Sequence, residues 1–451
     1  MSIQKIFDTA KQSLLQNQSA INTSAKNIAN MNSEIYKRRQ VIITESTLGF
    51  TGMNGGISHA DTIRVENQFI DSQLRYERQD LGKRESDQII LQQVEDVFGE
   101  PNNAGLSKVL TSFWNSWNAL STNPESLSAR NEVRSQGQSL SRTFQKLDTD
   151  FGNLQRNLRE EYQAKVDDVN RMLNQMGELN RQILRQPSGD LLDHRDALIN
   201  ELSPMLELDV RENSNGTVTL ATNGTLLISQ GIVNNLSADV TWDSSTSEYT
   251  LGLKLENSQR SVNPQSGALS SLLERHNVTV KNVRDQLDGL AVNLAVRVNE
   301  IHKNGYNLDD VTDVNFFAEG ITGAHDFNIS TEIANNANLI ASSSDAGTPG
   351  SGTLATLIAD MQYGEVMEGF SANEFYSHLV SDIGKKVQES EFLKTSQEKL
   401  VMNLKNQRDA ISGVSLDEEM TRLIEFEQAY QAAAKVISTV SEITDTIINM
   451  V

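Results

Sequence analysis

The sequence predicts a mainly α-helical chain with a small β domain inserted in it, and three observations carry that prediction. Both ends carry a hydrophobic stripe of seven-residue period, only six prolines occur in 451 residues, and one central segment switches to alternating apolar and polar residues. Alternating steps of three and four place side chains along one helix face at the coiled-coil period. Proline breaks helices because it lacks an N–H and clashes with the preceding turn, so its scarcity favours long helices. A period of two is the mark of a strand with one buried face.

At the N-terminus Phe7, Leu14, Ile21, Ile28 and Ile35 share one heptad position, with Ile3, Ala10 and Met31 on the companion one. Residues 1 to about 36 therefore read as one helix. Asn17 and Ser24 fall on the companion position, where polar groups weaken a coiled coil and fix its register. Val41-Ile42-Ile43-Thr44 is a short β-type run, followed by a flexible stretch from Leu48-Gly49 to Gly55-Gly56. Helical periodicity returns from Asn67 to Phe98 and stops between Gly99 and Gly105. A shorter helix, Leu106 to Leu120, carries Phe113, Trp114 and Trp117, a spacing that fits helix–helix core far better than a ligand shelf. The proline-free stretch between Pro124 and Pro187, with helical spacing from Phe144 to Met176, predicts a rod of roughly 90 Å over its whole length, with Gly137, Gly152 and Gly177 as candidate bends.

From Leu206 to Val262 the chain turns to strand-like alternation, with Asn215-Gly216 and Asn223-Gly224 as hairpin turns and Val240-Thr241-Trp242 facing Tyr249 to Leu255. Helix resumes from Gly267 to His302. Residues 305–355 are rich in Gly, Asn, Ser and Asp and read as loop with short strands, the Ser342 to Gly352 portion as an exposed mobile turn. Phe370 to Ile411 is helical, Ser412-Gly413 a break, and the terminal helix starts near Ser415, with Asp417, Glu418 and Glu419 complementing its dipole. Its stripe runs through Leu423, Phe426, Tyr430, Ala433, Ile437, Val440, Ile447 and Val451. Ala429, Ala432, Ala434, Ser438 and Thr439 keep a second face small enough for further helices to approach. Such regular ends are expected to meet each other and then something else.

Composition narrows the function. A net charge of −21 opposes binding to nucleic acid or anionic membrane surfaces. The absence of cysteine excludes disulfides, thiolate metal sites and cysteine nucleophiles. No run of 18 apolar residues exists to span a bilayer as a helix. Lys5, Asp8 and Lys11 interrupt the first fifteen residues, so a cleaved secretory signal peptide is not expected. No catalytic, metal-binding or cofactor-binding constellation stands out. The six histidines lack helix-borne metal spacing, His194-Arg195-Asp196 lacks the rest of a kinase catalytic loop, and Asp309, Asp310, Asp313 and Asn315 are wrongly spaced for a calcium loop.

Asn27-Ile28-Ala29-Asn30 followed by Tyr36 and Arg38 resembles the N-terminal signature of the flagellar axial proteins, the rod, hook and hook-associated subunits. Gly413 to Met420, continuing through Gln428-Ala429-Tyr430-Gln431-Ala432-Ala433-Ala434, is similar to their C-terminal signature. Asp190-Leu191-Leu192-Asp193-His194-Arg195-Asp196, Gly267-Ala268-Leu269, and Val298 to Tyr306 with Phe316-Phe317 narrow the resemblance to the members that join hook to filament. The family's usual Thr-Pro-Gly-Tyr is replaced by Ser33-Glu34-Ile35-Tyr36, and Arg39 stands where a Gln is common. Losing Pro and Gly removes turn chemistry, so the first helix is expected to run about one turn further.

The resemblance implies a structural subunit with no enzymatic activity, exported unfolded by the flagellar type III apparatus. It implies a secreted protein of the flagellum, external or periplasmic, whose C-terminal helix is shielded by an export chaperone. Its partners would be adjacent copies, the hook protein and the second hook–filament junction protein. The expected division is a terminal coiled coil (1–45 with 412–451), a helical rod bundle (46–205 with 266–411) and a β-rich outer module (206–265). Expected assembly contacts are Phe7, Leu14, Ile21, Ile28, Ile35, Leu423, Phe426, Tyr430, Ile437, Val440 and Ile447. The signature residues are Asn27, Ala29, Asn30, Tyr36, Arg38, Gln428, Ala429 and Tyr430. Neither apolar edge is expected to be satisfied until copies stand together. The competing readings are another axial subunit (second junction protein or flagellin-like), a secreted coiled-coil effector or adhesin, and an enzyme with the β module as active domain.

Overall fold

A computed structural model of the chain describes residues 3–33, 35–45, 58–99, 105–244 and 248–449. The predicted stretch from Leu48 to Gly56, Glu34, and the last stripe residue Val451 lie outside the described residues. The architecture is mainly helical with a small β region, as the sequence predicts.

Helix α1 (Ile3–Ala29) is followed by the antiparallel hairpin β1 (Arg39–Glu45) and β2 (Ser58–Arg64), with Arg39 opposite Arg64. The helix stops at Ala29, well short of the predicted residue 36 and without the extra turn expected from the missing Pro-Gly. A tertiary tie overrides the local turn chemistry: the Asn27 carboxamide reaches across to the backbone of Arg39 and turns the chain back on itself.

Helix α2 (Gln68–Phe98) begins at an Asn67 cap, whose Oδ1 accepts from the backbone of Phe69 and Ile70, and ends at Gly99 with φ 64°. It packs along α10 (Ala372–Ser412), which opens on a Ser371–Glu374 capping box. Gln397 of α10 donates to the Glu77 carbonyl at 3.0 Å, which fixes the antiparallel register of the pair. Beyond Ser390, only Leu404 and Ser412 of α10 are buried among the described residues, so the two helices form a slender neck below the main core.

The core gathers where α3 (Leu106–Thr122) and α4 (Leu127–Arg185) meet α2 and α10. Phe113, Trp114 and Trp117 are buried there, with Phe316 and Phe317 within 6 Å of the Phe113 ring. At 59 residues α4 is continuous, about 88 Å at 1.5 Å per residue. Gly137 and Gly177 are not bends. A Cβ at Gly137 would stand 2.9 Å from the Phe316 ring, and one at Gly177 would stand 2.4 Å from Val233. These glycines let neighbours close on the rod.

After α5 (Gly189–Leu202) come two small sheets. One is the antiparallel meander β3 (Asp209–Glu212), β4 (Val218–Thr222), β5 (Thr225–Ser229) and β6 (Ile232–Val233). The Asn223-Gly224 turn has φ 42° and 72°, both left-handed, as the two-residue hairpin needs. The other sheet is β7 (Leu236–Asp243), β8 (Glu248–Leu255) and β9 (Ser261–Val262), with Trp242 opposite Tyr249 as predicted. Asparagines of α4 dock both sheets: Asn180 pairs with the Val218 backbone and Asn170 with that of Leu236.

The helix predicted from Gly267 to His302 is α6 (Ala268–Glu274) and α7 (Lys281–His302) joined by a π-helical turn, Arg275–Val280. There Asn277 bonds Leu251 of β8 through both its donor and its acceptor. Residues 305–355 are more ordered than a loop reading implies. Phe316, Phe317, Phe327 and Ile333 enter the core, and α8 (Thr331–Asn335) and α9 (Thr353–Asp360) lie in or border the segment. Ser342 and Ser343, expected in an exposed turn, are buried, because the Ser342 hydroxyl accepts from the fully buried Arg130 guanidinium at 2.8 Å. Only residues 344–350 of that turn are exposed.

Candidate assembly site

The chain closes with α11 (Leu416–Asn449), which lies antiparallel against α1: Ala20 to Ser24 border Glu419 to Phe426, and Ile6 to Ser13 border Ala429 to Val436. The two terminal stripes therefore meet within one chain. This corrects the expectation that neither edge is satisfied before copies assemble. The correction is partial. The side chains buried on α1 are Ala10, Asn17, Ala20, Thr23, Ser24 and Asn27, and those on α11 are Glu419, Ala433 and Val440. Leu14, Ile21, Ile28, Leu423, Phe426, Tyr430 and Ile437 are half-buried beside them, while Phe7, Ile35 and Ile447 are exposed. Small and polar residues thus fill the seam and large apolar ones flank it. An apolar groove of about 540 Å³ runs between Ile6 and Ala10 on one helix and Ala429, Ala432, Ala433 and Val436 on the other.

At the foot of the pair the signature residues converge. Asn27, with 0 % of its surface exposed, donates to the Arg39 carbonyl at 2.8 Å and accepts from the Arg39 N–H at 3.0 Å. The Tyr36 hydroxyl donates to the same Asn27 Oδ1 at 2.7 Å, and the Arg39 guanidinium lies 5.0 Å from the Tyr36 ring centroid. Burial pushes the Tyr36 phenol up to about 12 despite that cation, so it stays a donor at any physiological pH. Arg38 ties the two ends: its N–H donates to the Ser412 carbonyl at 3.2 Å and its guanidinium pairs with Glu418 at 3.0 Å. Asn30 caps its own helix by donating to Lys26 at 2.8 Å. Ala29, Gln428 and Ala429 are exposed, as is Asn30.

A charge network bolts this foot to the rod. Arg39 pairs with Asp190 at 2.5 Å and Asp193 at 2.8 Å, and Arg64 pairs with Asp193 at 3.1 Å and Asp196 at 2.6 Å. Lys37 meets Asp71, Glu66 and Asp196 within 3.1 Å, and Arg195 closes on Asp196 and Glu212. Asp190, Asp193 and Asp196 of α5 thus meet Lys37, Arg39 and Arg64 from the N-terminal segment, with Glu66, Asp71 and the Arg195–Glu212 pair at the margin. Burial alone would raise the Asp196 carboxyl, but Lys37, Arg195 and Arg64 outweigh it and hold that group well below the usual carboxylate range. The same three anions hold the Lys37 ammonium above its ordinary value against its own burial. Buried pairs add little net stability but are costly to break one-sidedly, which makes the network a fixer of geometry.

In the sequence Asp190 to Asp196 stands out only through the family resemblance, Arg39 only as a replacement and Glu419 only as a charge complementing a helix dipole, and nothing marks Lys37 or Arg64 as their partners. Arg39 stands 151 and 154 residues before Asp190 and Asp193, and Arg64 132 residues before Asp196, beyond the reach of any local pattern. Among the described residues no group of three or more His, Asp or Glu is placed to hold a metal, and no helix is long and apolar enough to cross a membrane.

Residues 91–317 match the flagellar hook-associated protein FlgK helical domain, and over 98 % of its length the chain is 30 % identical to flagellar hook-associated protein 1 of Bacillus subtilis, covering 97 % of that protein. The chain belongs to the flagellar hook-associated protein 1 family. Flagellar hook-associated protein 1 of Escherichia coli is 25 % identical, with 99 % of each chain covered. Residues 406–450, which take in α11, match the C-terminal model of the flagellar basal body rod FlgEFG proteins. The flagellar hook junction protein FlgK from Burkholderia pseudomallei superposes with a TM-score of 0.67 over 75 % of this chain and all of that one, at 14 % identity, and so shares the fold. In this member of the flagellar hook-associated protein 1 family, a structural component of the flagellum, only the segment that takes in α11 also matches the model of the rod proteins. The α3–α7 body is the part that sets the family apart.

Proposed function

We propose that this chain is the hook-proximal subunit of the hook–filament junction, exported unfolded through the flagellar type III apparatus and assembled through α1 and α11. The observation that carries this reading is the form of the terminal pair. Its seam is small and polar, and its outer faces keep Ile6, Phe7, Ile424, Val436, Ile443 and Ile447 exposed around an alanine-lined groove. Exposed apolar surface of this extent on a helix pair calls for partner helices. Neighbouring copies in a tube would supply them, with Phe7, Leu14, Ile21, Ile28, Ile35, Leu423, Phe426, Tyr430, Ile437, Val440 and Ile447 at or beside the contacts.

In this reading the chain divides as its sequence suggests: terminal pair inside, helical rod outside it, and the β module of residues 206–265 facing solvent. The charged foot holds the rod at a fixed angle to the tube. Hook protein on one side and the second junction protein on the other are the proposed neighbours. A chaperone covering the apolar faces of α11 before export would keep them from premature association.

Deleting the gene tests the assignment. Hooks should form to normal length while filament subunits leak unattached into the medium, and the full-length chain should restore filaments. Normal filaments in the deletion strain would refute the junction role.

A further inference from the structure

Glu419 violates the pattern of its own helix. It occupies the same seven-residue position as Phe426, Ala433 and Val440 and faces the seam against α1, with 1 % of its surface exposed. Both carboxylate oxygens are buried and neither accepts a hydrogen bond among the described residues. The nearest paired cation, Arg422, stands 3.9 Å away. Arg39 shares the same cavity wall, but its Nη2 is engaged by Asp190 and Asp193. The N-terminal end of α11 favours negative charge at this point yet gives the carboxylate no hydrogen. An unpartnered carboxylate is among the costliest groups to bury. Arg422 supplies charge at 3.9 Å but no hydrogen bond, and a residue that breaks the local rule with so little compensation in its own chain points to compensation outside it.

A cavity of about 230 Å³ opens at Glu419, walled by α1 at Thr23 and Ser24, by β1 at Arg39, and by α11 at Arg422 and Glu425, so that a second carboxylate faces it beside the two guanidinium groups. The same helix pair carries the complement elsewhere: Lys11 on α1 and Lys435 on α11 are exposed, and neither forms an ion pair among the described residues. We infer that the cavity is a socket for Lys11 or Lys435 of a second copy, so that Glu419 gains a hydrogen-bonded counter-charge only when copies stand side by side. This rests on the proposed assembly through α1 and α11. Lys435 lies sixteen residues beyond Glu419, about 24 Å along the helix axis. Between copies that stand parallel the contact is head-to-tail, staggered by that length, and repeats from copy to copy.

Because the chain has no cysteine, single replacements report this contact without background. Full-length Glu419→Cys is mixed with Lys11→Cys or Lys435→Cys under conditions where the wild type assembles on isolated hooks, then oxidised. A disulfide-linked pair is expected in one of these mixtures and none with Glu419→Cys alone; its absence from both mixtures overturns the socket. Glu419→Gln supplies a second measurement. It should raise the melting temperature of the monomer while weakening assembly at least tenfold; assembly equal to wild type overturns the socket while leaving assembly through the terminal helices intact. If the wild type itself fails to assemble on hooks, the proposed function fails and the socket with it.

Discussion

The side chain of Asn27 and the backbone of Arg39 form a two-bond clasp, the carboxamide giving one hydrogen bond to the carbonyl and taking one from the N–H. The clasp ends α1 and aims β1. Asn27→Ala would strand two buried backbone groups of Arg39, and each orphaned group costs about 1–3 kcal/mol. Chemical denaturation of the full chain should show a loss of roughly 2–4 kcal/mol, with faster proteolysis between residues 30 and 38. Tyr36→Phe, which frees one bond to Asn27 Oδ1 and leaves the clasp in place, should cost about 1 kcal/mol.

Asp196 is held by Lys37, Arg64 and Arg195 at once. Asp196→Asn keeps the shape and removes the charge, leaving three cations around a neutral group. Removing one side of a buried network costs about 3–5 kcal/mol. Hydrogen exchange should quicken in β1, β2 and α5 while α3 and the middle of α4 keep their protection. Unchanged exchange at the foot would mean the network does not fix the rod to the terminal pair.

Val440 is buried in the seam and Ile437 half-buried at its edge. Replacing both with Asp should unpair α11 from α1 and abolish incorporation into flagella. Far-ultraviolet circular dichroism should lose only the terminal contribution, because the core around Trp117 and Phe316 is remote from these positions. Motile cells with normal filaments would contradict the role assigned to the pair.

His302 is wholly buried, with Nδ1 on the Val314 carbonyl at 2.7 Å and Nε2 accepting from the Ala341 N–H at 2.9 Å. That arrangement admits only the neutral ring, and burial pushes its pKa down to about 4. In the unfolded chain the ring titrates near 6.5. Below that pH the unfolded state takes up a proton the folded state refuses. Stability should therefore be level above pH 6.5 and fall by about 1.4 kcal/mol per pH unit as pH drops towards 4. Burial depresses His276 too, adding the same sign. Urea midpoints at pH 7.5, 6 and 5 check the slope, and His302→Gln should flatten part of it.

Much of this was legible because it is periodic or local. The heptads of both ends, the Asn67 and Gly99 limits of α2, the Phe113 to Trp117 core and the Asn223-Gly224 hairpin each follow from a few adjacent side chains. What stayed hidden depends on partners distant in sequence. Asn27 ends its helix through Arg39, twelve residues on, where local propensity alone would have continued it. Residues 305–355 lack any period, yet Phe316, Phe317 and Phe327 enter the core because α3, α4 and α7 leave a space shaped for them. The seam residues on α1 are Ala, Asn, Ser and Thr, and although Ala10, Asn17 and Ser24 share the companion heptad position, side chains so small carry no sign that they take the centre and Leu14, Ile21 and Ile28 the flanks.

Since α1 and α11 run in opposite directions, the polypeptide leaves the terminal pair and returns to it at the same place, through the foot formed by Arg38, Ser412 and Glu418. Everything between is one long excursion from a single doorway. Lengthening or trimming that excursion far from the threshold alters the outline of the molecule while leaving the packing of α1 on α11 untouched.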